Sequence, residues 1–229
     1  TVERGLSEEA VKEQIRNGLK TSPDYIFLPM YERSVRAAVQ SVLTEKNQST
    51  NFLLYKSPQV EGRFNVVVPY DRKMAEKLSM AIQRYESQVD RLPYHDIMEI
   101  ANEAHAFEYR TGTPYAGVYL LKTLKGGRVQ SAGRTLKTWG RKTWKKFARA
   151  GVSLLAVETH PDDFVIMAGP PAIHAREAGM EIQVWTLGSG SGAAIPKIDN
   201  REDMDALEKK KSKTSLRREE QGAAFNVLG

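Results

Sequence analysis

The chain has 229 residues, enough for one large domain or two small ones and for a substantial buried core. Its 41% hydrophobic and 8% aromatic content is that of an ordered globular protein, and a formal net charge of +6 favours polyanionic partners. The absence of cysteine excludes disulfide frameworks, thiolate zinc sites, iron–sulfur clusters and cysteine nucleophiles together.

The first third alternates helical and extended patterns. Ser7 is placed to cap a helix through about Leu19, with Ala10, Val11, Ile15 and Leu19 on one face. "YIFLP" (25–29) reads as an apolar strand, and Val35, Ala38, Val39, Val42 and Leu43 recur at helical spacing before the strand "NFLLYK". "SPQVEG" connects to the strand "RFNVVVP" (63–69). Asp71 can then cap a helix that lines up Met74, Leu78, Ala81, Ile82 and Tyr85.

The proline in "VDRLPYHD" marks a boundary between halves, after which Ile97 to Phe107 predict another helix. A short apolar helix, "YAGVYLLKTL", is expected next, then the glycine-containing loop "KGGRVQSAG" and a basic helix. "VSLLAVE" and "FVIMAG" read as strands around the turn "THPDD", and "PPAIHAREAG" as a helix leading into the strand "MEIQVWTLG". The expected fold is α/β, with α+β as the alternative, in two small lobes. Residues 1–92 form a βαββα ferredoxin-like lobe, residues 93–187 a lobe of helices plus a short mixed sheet, and residues 188–229 a linker and loosely attached polar tail.

The charge is local. From Tyr109 to Val157 there is no Asp or Glu, while eleven lysines and arginines fall there. Within "GRTLKTWGRKTWKKFARAG" (133–151), Leu136, Trp139 or Gly140, Thr143 or Trp144, and Phe147 follow helical spacing, which leaves Lys137, Arg141, Lys142, Lys145, Lys146 and Arg149 on the remaining surface. Like charges four residues apart repel, and a polyanion would relieve the repulsion while releasing counterions. Arg128 and Arg134 in the preceding loop extend the basic surface. That loop is not a Walker A motif, because five residues rather than four separate Gly127 from Gly133 and arginine follows.

"ETHPDDFVIM…MEIQVW" resembles in outline the metal-dependent nucleases of restriction-endonuclease type, with Asp162 or Asp163 before one strand, Glu181 opening another and Glu158 upstream. Gln183 stands where that pattern has lysine, and Pro-Asp also simply makes turns. His95, Glu99 and Glu103 share a helix face and read as solvated.

The leading expectation is a non-enzymatic protein without cofactor or metal that binds DNA or RNA through its phosphates, with weak sequence specificity. Arg128, Arg134, Lys137, Arg141, Lys142, Lys145, Lys146 and Arg149 are its contacts. The alternatives are the nuclease and a self-assembling scaffold of viral or plasmid-encoded type that docks on an acidic partner. No apolar run approaches the ~20 residues of a membrane helix, and the first residues lack a secretory core, so a cytoplasmic protein with no membrane partner is expected, with a homo-oligomer left open.

Overall fold

A computed structural model of the chain describes residues 8–19, 23–55, 64–89, 92–133, 135–189, 191 and 195–229. It is a mixed α/β protein built on one eight-stranded sheet. Ser7, the "SPQVEG" connection and Arg134, for which the sequence carries expectations, lie outside the described residues.

The strands β1 (Tyr25–Pro29) and β2 (Thr50–Tyr55) run parallel, joined by the crossover helix α2 (Arg33–Glu45). β1 also pairs in parallel with β7 (Leu154–Glu158), which pairs with β8 (Ile182–Thr186). On the other side the long strand β4 (Tyr115–Lys125) is antiparallel to both β2 and β3 (Val66–Tyr70). It also turns into β5 (Arg128–Ser131) through Gly126 and Gly127. Both glycines have positive φ, +55° and +72°, as a two-residue type I′ hairpin requires. The two residues of β6 (Lys137–Thr138) close the far edge beside β3.

Strands from residues 1–92 and from residues 93–187 therefore interleave in one sheet. The strand–helix–strand–strand–helix order expected for the first lobe is present along the chain, but β2 and β3 each pair with β4 rather than with one another. The ferredoxin-like pairing is not seen. The apolar segment read as a short helix is β4. Flanked by β2 and β3, it is buried at Tyr115 to Tyr119 without interruption, so it lacks the two-residue alternation of a half-exposed strand.

Each face of the sheet carries its own layer. The helices α1 (Glu8–Gly18) and α2 cover Ile26, Leu28, Phe52, Leu54, Leu155 and Val157. On the opposite face α3 (Arg72–Gln83), α6 (Arg141–Arg149), α7 (Asp163–Glu177) and α9 (Ala206–Leu228) pack over Phe27, Leu53, Tyr55, Leu154 and Ala156. The short α4 (Glu86–Val89) and α8 (Pro196–Asp199) are connectors, and α5 (Tyr94–Glu108) packs on β4. Asp71 caps α3 as expected, its carboxylate accepting from the Met74 amide at 2.9 Å.

Two further expectations are corrected. "FVIMAG", read as a strand, opens α7, which kinks at Ala168 ahead of Pro170 and Pro171 and is buried nearly all round. Buried on every side, it shows no helical stripe in the sequence. Gly169 lets it approach α3 closely: a Cβ there would stand 2.2 Å from a Leu78 methyl. The tail, read as loosely attached, contains a 23-residue helix opened by a capping box between Asp205 and Glu208 and packed on α3 and α7. The face that α9 buries is largely charged, consisting of Lys213, Arg217, Glu220, Ala224 and Leu228.

Candidate functional site

The basic helix is shorter than its sequence pattern. Gly140 is its extended N-cap, so the glycine expected inside the helix stands at its start, and α6 has nine residues. Lys137 lies on β6, half-buried, and Leu136 is 41% exposed, so neither belongs to the helical stripe. Backbone pairing explains the difference. Lys137 N–H donates to Asn65 O and Trp139 N–H to Val67 O, which draws this stretch into the sheet edge.

Within α6 the segregation of side chains is complete. At 3.6 residues per turn, Arg141, Lys142, Lys145, Lys146 and Arg149 fill an arc of roughly 140°, and Thr143, Trp144, Phe147 and Ala148 fill the opposite one. All five cations are exposed. Trp144 is 1% exposed, donates its indole N–H to the Trp139 carbonyl at 3.0 Å and stacks on His174. Trp139 meets Trp144, Phe147 and Tyr25 edge-on, with centroids 5.2–5.8 Å apart. The aromatic groups thus fasten the helix to β1 and α7 and are not available for stacking on bases.

Arg141 pairs with Glu177 at 3.1 Å. Among the described residues Lys142, Lys145, Lys146 and Arg149 have no ion-pair partner. The pairs Arg141/Lys145, Lys142/Lys146 and Lys145/Arg149 remain at four-residue spacing, each unfavourable by about 0.2–0.5 kcal/mol on an exposed helix. Arg128, also exposed, sits at the tip of the β4–β5 hairpin. There Leu124 is level with Thr50, the first residue of β2, so Arg128 is at the same end of the sheet as the Tyr25–α6 contact and roughly 15 Å across it.

No family model, no curated protein and no solved structure matches the chain.

The nuclease constellation does not assemble. Glu181 immediately precedes β8, whose first residue is level with Leu154 at the start of β7, whereas Asp162 and Asp163 follow the other end of β7. Four strand residues separate the two levels, at least about 13 Å. Asp162 and Asp163 also open a helix rather than a strand, and among the described residues no group of three His, Asp or Glu side chains could hold a metal.

Asp162 and Asp163 instead belong to a buried polar cluster that the sequence pattern missed. The crossover after β1 lies on one face and that after β7 on the other, so the carboxyl ends of these strands form a topological switch point, where open α/β sheets commonly bind ligands. Here α9 enters that crevice. Arg217, 2% exposed, bonds to Asp162. Glu220 accepts from the amide and hydroxyl of Ser87, both at 2.7 Å. Gln221 donates to Glu158, which also accepts from Phe164 N–H at 3.0 Å and Thr186 O–H at 2.6 Å.

Burial pushes the Glu158 carboxyl up to about 8, against the pull of those hydrogen bonds. Burial raises Asp162 as well, and Arg217 draws it back. The tyrosines at this end, Tyr31, Tyr55 and Tyr85, are pushed up chiefly by burial. The spacing 213, 217, 220, 224, 228 is the signal that would have located the α9 face, had charged positions been allowed into a helical stripe.

Proposed function

We propose that this chain is a non-enzymatic nucleic-acid-binding protein of the cytoplasm. It grips the phosphate backbone with the outer face of α6 and reads little base sequence. The observation that supports this is the unbroken basic arc of α6, opposite an aromatic anchor that holds the helix rigid. A helix face balanced by its own acids would need no partner, and here four cations on one arc have none among the described residues. Arg128, Arg134 and Lys137 extend the contacts, and Arg141 joins them once its pairing with Glu177 is exchanged for phosphate. Among the described residues no helix is long and apolar enough to cross a membrane, and the buried Trp144 does not favour insertion into a lipid surface.

Fluorescence anisotropy with single-stranded DNA, duplex DNA and RNA tests the reading. On duplex DNA, four phosphates neutralised by Lys142, Lys145, Lys146 and Arg149 give a log–log salt slope of about −3.6, a loss of roughly 150-fold in affinity between 50 and 200 mM salt. Replacing Lys142, Lys145 and Lys146 with glutamate should nearly abolish binding and flatten that slope. Unchanged affinity in the folded triple variant would refute the assignment.

A further inference from the structure

A second concentration of positive charge lies on the opposite face of the sheet from α6. Between α2 and the β4–β5 hairpin is a hollow of about 370 Å³. Arg33 and Arg36 from the first turn of α2 and Lys122 from β4 rim it, and Phe52, Leu54 and Val129 are among its apolar lining. No acidic side chain is among the described residues that line it, and neither Arg33 nor Lys122 has an ion-pair partner among the described residues.

The placement of these cations opposes local electrostatics. The first turn of a helix is the positive end of its dipole and favours acids, yet the first turn of α2 holds two arginines and no acid beyond the N-cap residue Glu32. Arg36 is half-buried and donates to the Met30 carbonyl, which fixes its guanidinium fork at the rim. Burial and the neighbouring Arg33 hold its pKa below the usual arginine value. Lys122 is half-buried as well, and its side chain leaves the sheet on the face that holds Phe52 and Leu54. Three cations and a helix terminus held together repel one another, and one bound anion offsets every repulsion at once. An apolar lining beneath a cationic rim suits a ligand with an anionic head and a flat apolar body. The volume is at the small end of the roughly 300–1,000 Å³ spanned by small-molecule sites.

We propose that this hollow binds a phosphorylated small molecule of mononucleotide size, with its phosphate on Arg33, Arg36 and Lys122 and its ring system over Phe52, Leu54 and Val129. The proposal does not rest on the nucleic-acid reading, because the hollow and α6 occupy opposite faces.

Isothermal titration of the full chain with AMP, GMP, CMP and UMP tests it, with the matching nucleoside and inorganic phosphate as half-ligands. At least one mononucleotide should bind with Kd below about 1 mM, and each half-ligand at least about tenfold more weakly. Arg36→Gln should weaken binding about tenfold. Lys122→Gln should do the same without disturbing the Arg36–Met30 hydrogen bond, and so remains informative if the first variant is destabilised. The α6 triple glutamate variant should bind the mononucleotide as wild type does. No binding by the folded wild type, equal binding of inorganic phosphate, binding indifferent to Lys122→Gln, or loss of binding in the α6 variant would each overturn the site.

Discussion

The buried charge on α9 gives the sharpest stability test. Arg217→Met keeps an unbranched apolar stem and removes the charged guanidinium. In the wild type Arg217 bonds to Asp162, lies 3.4 Å from Ser87 Oγ and 3.7 Å from Glu220 Oε2, and sits over the Tyr85 ring at 5.9 Å. The variant leaves Asp162 and Glu220, 7% and 6% exposed, without a buried cation. Removing one partner of such a pair costs about 3–5 kcal/mol, a large part of a typical total of about 5–15 kcal/mol. With an m-value of about 2–3 kcal/mol/M, the urea midpoint should fall by about 1–2.5 M.

The loss should also depend on pH. Burial already raises Asp162, and without Arg217 its carboxyl rises further. The folded state then binds a proton that the unfolded state releases, so the penalty is full above the folded pKa and fades as pH falls toward the ordinary aspartate value of about 3.9. Urea unfolding followed by circular dichroism should therefore show a larger cost at pH 8 than at pH 5. Arg201→Met, which breaks an exposed pair with Asp203, should be indistinguishable from wild type. A loss for Arg217→Met below about 1 kcal/mol, or one that grows on acidification, would refute the reasoning.

Trp144→Ala should cost about 3–5 kcal/mol, because a side chain 1% exposed leaves a cavity beneath α6 and its indole hydrogen bond is lost. A midpoint shift no larger than that of a surface substitution would mean that the aromatic anchor is not structural. Glu158 has a folded pKa raised to about 8 from an ordinary 4.5, so the folded state holds its proton where the unfolded state does not. Stability should fall as pH rises from 6.5 to 8, by at most about 1.4 kcal/mol per unit, and Glu158→Gln should flatten that slope. A wild-type stability that is level or rising across this window would show that the carboxyl is ionised in the fold.

Elements with one buried face were legible in the sequence. The spacing of Val35, Ala38, Val39 and Val42 marked α2, and Asp71 marked the start of α3. Elements buried all round were not. β4 and the first half of α7 present apolar residues on every side, so period could not tell strand from helix, and the two were exchanged. In the basic segment the charge was legible and the helix start was not, because Gly140 fits an apolar stripe as readily as an N-cap. The α9 face escaped for a different reason. Arg217 and Glu220 are buried because specific partners from Ser87 and Asp162 meet them, and partners distant in sequence leave no local pattern.

The pairing of β1 with β7 governs how the molecule can be assembled. Asp24 and Ser153, 129 residues apart, clasp each other reciprocally: each backbone amide donates to the other's side chain, and the serine hydroxyl also donates to the Asp24 carboxylate. β1 meets its partner β2 after one helix, whereas its pairing with β7 joins segments 129 residues apart. Loop-closure entropy must be met before so distant a pairing is rewarded, which slows folding relative to a chain held by local contacts. Until that clasp closes, β1 presents an unpaired hydrogen-bonding edge of the apolar residues Ile26, Phe27 and Leu28. The interval before closure is therefore when the chain is most open to pairing with the wrong neighbour.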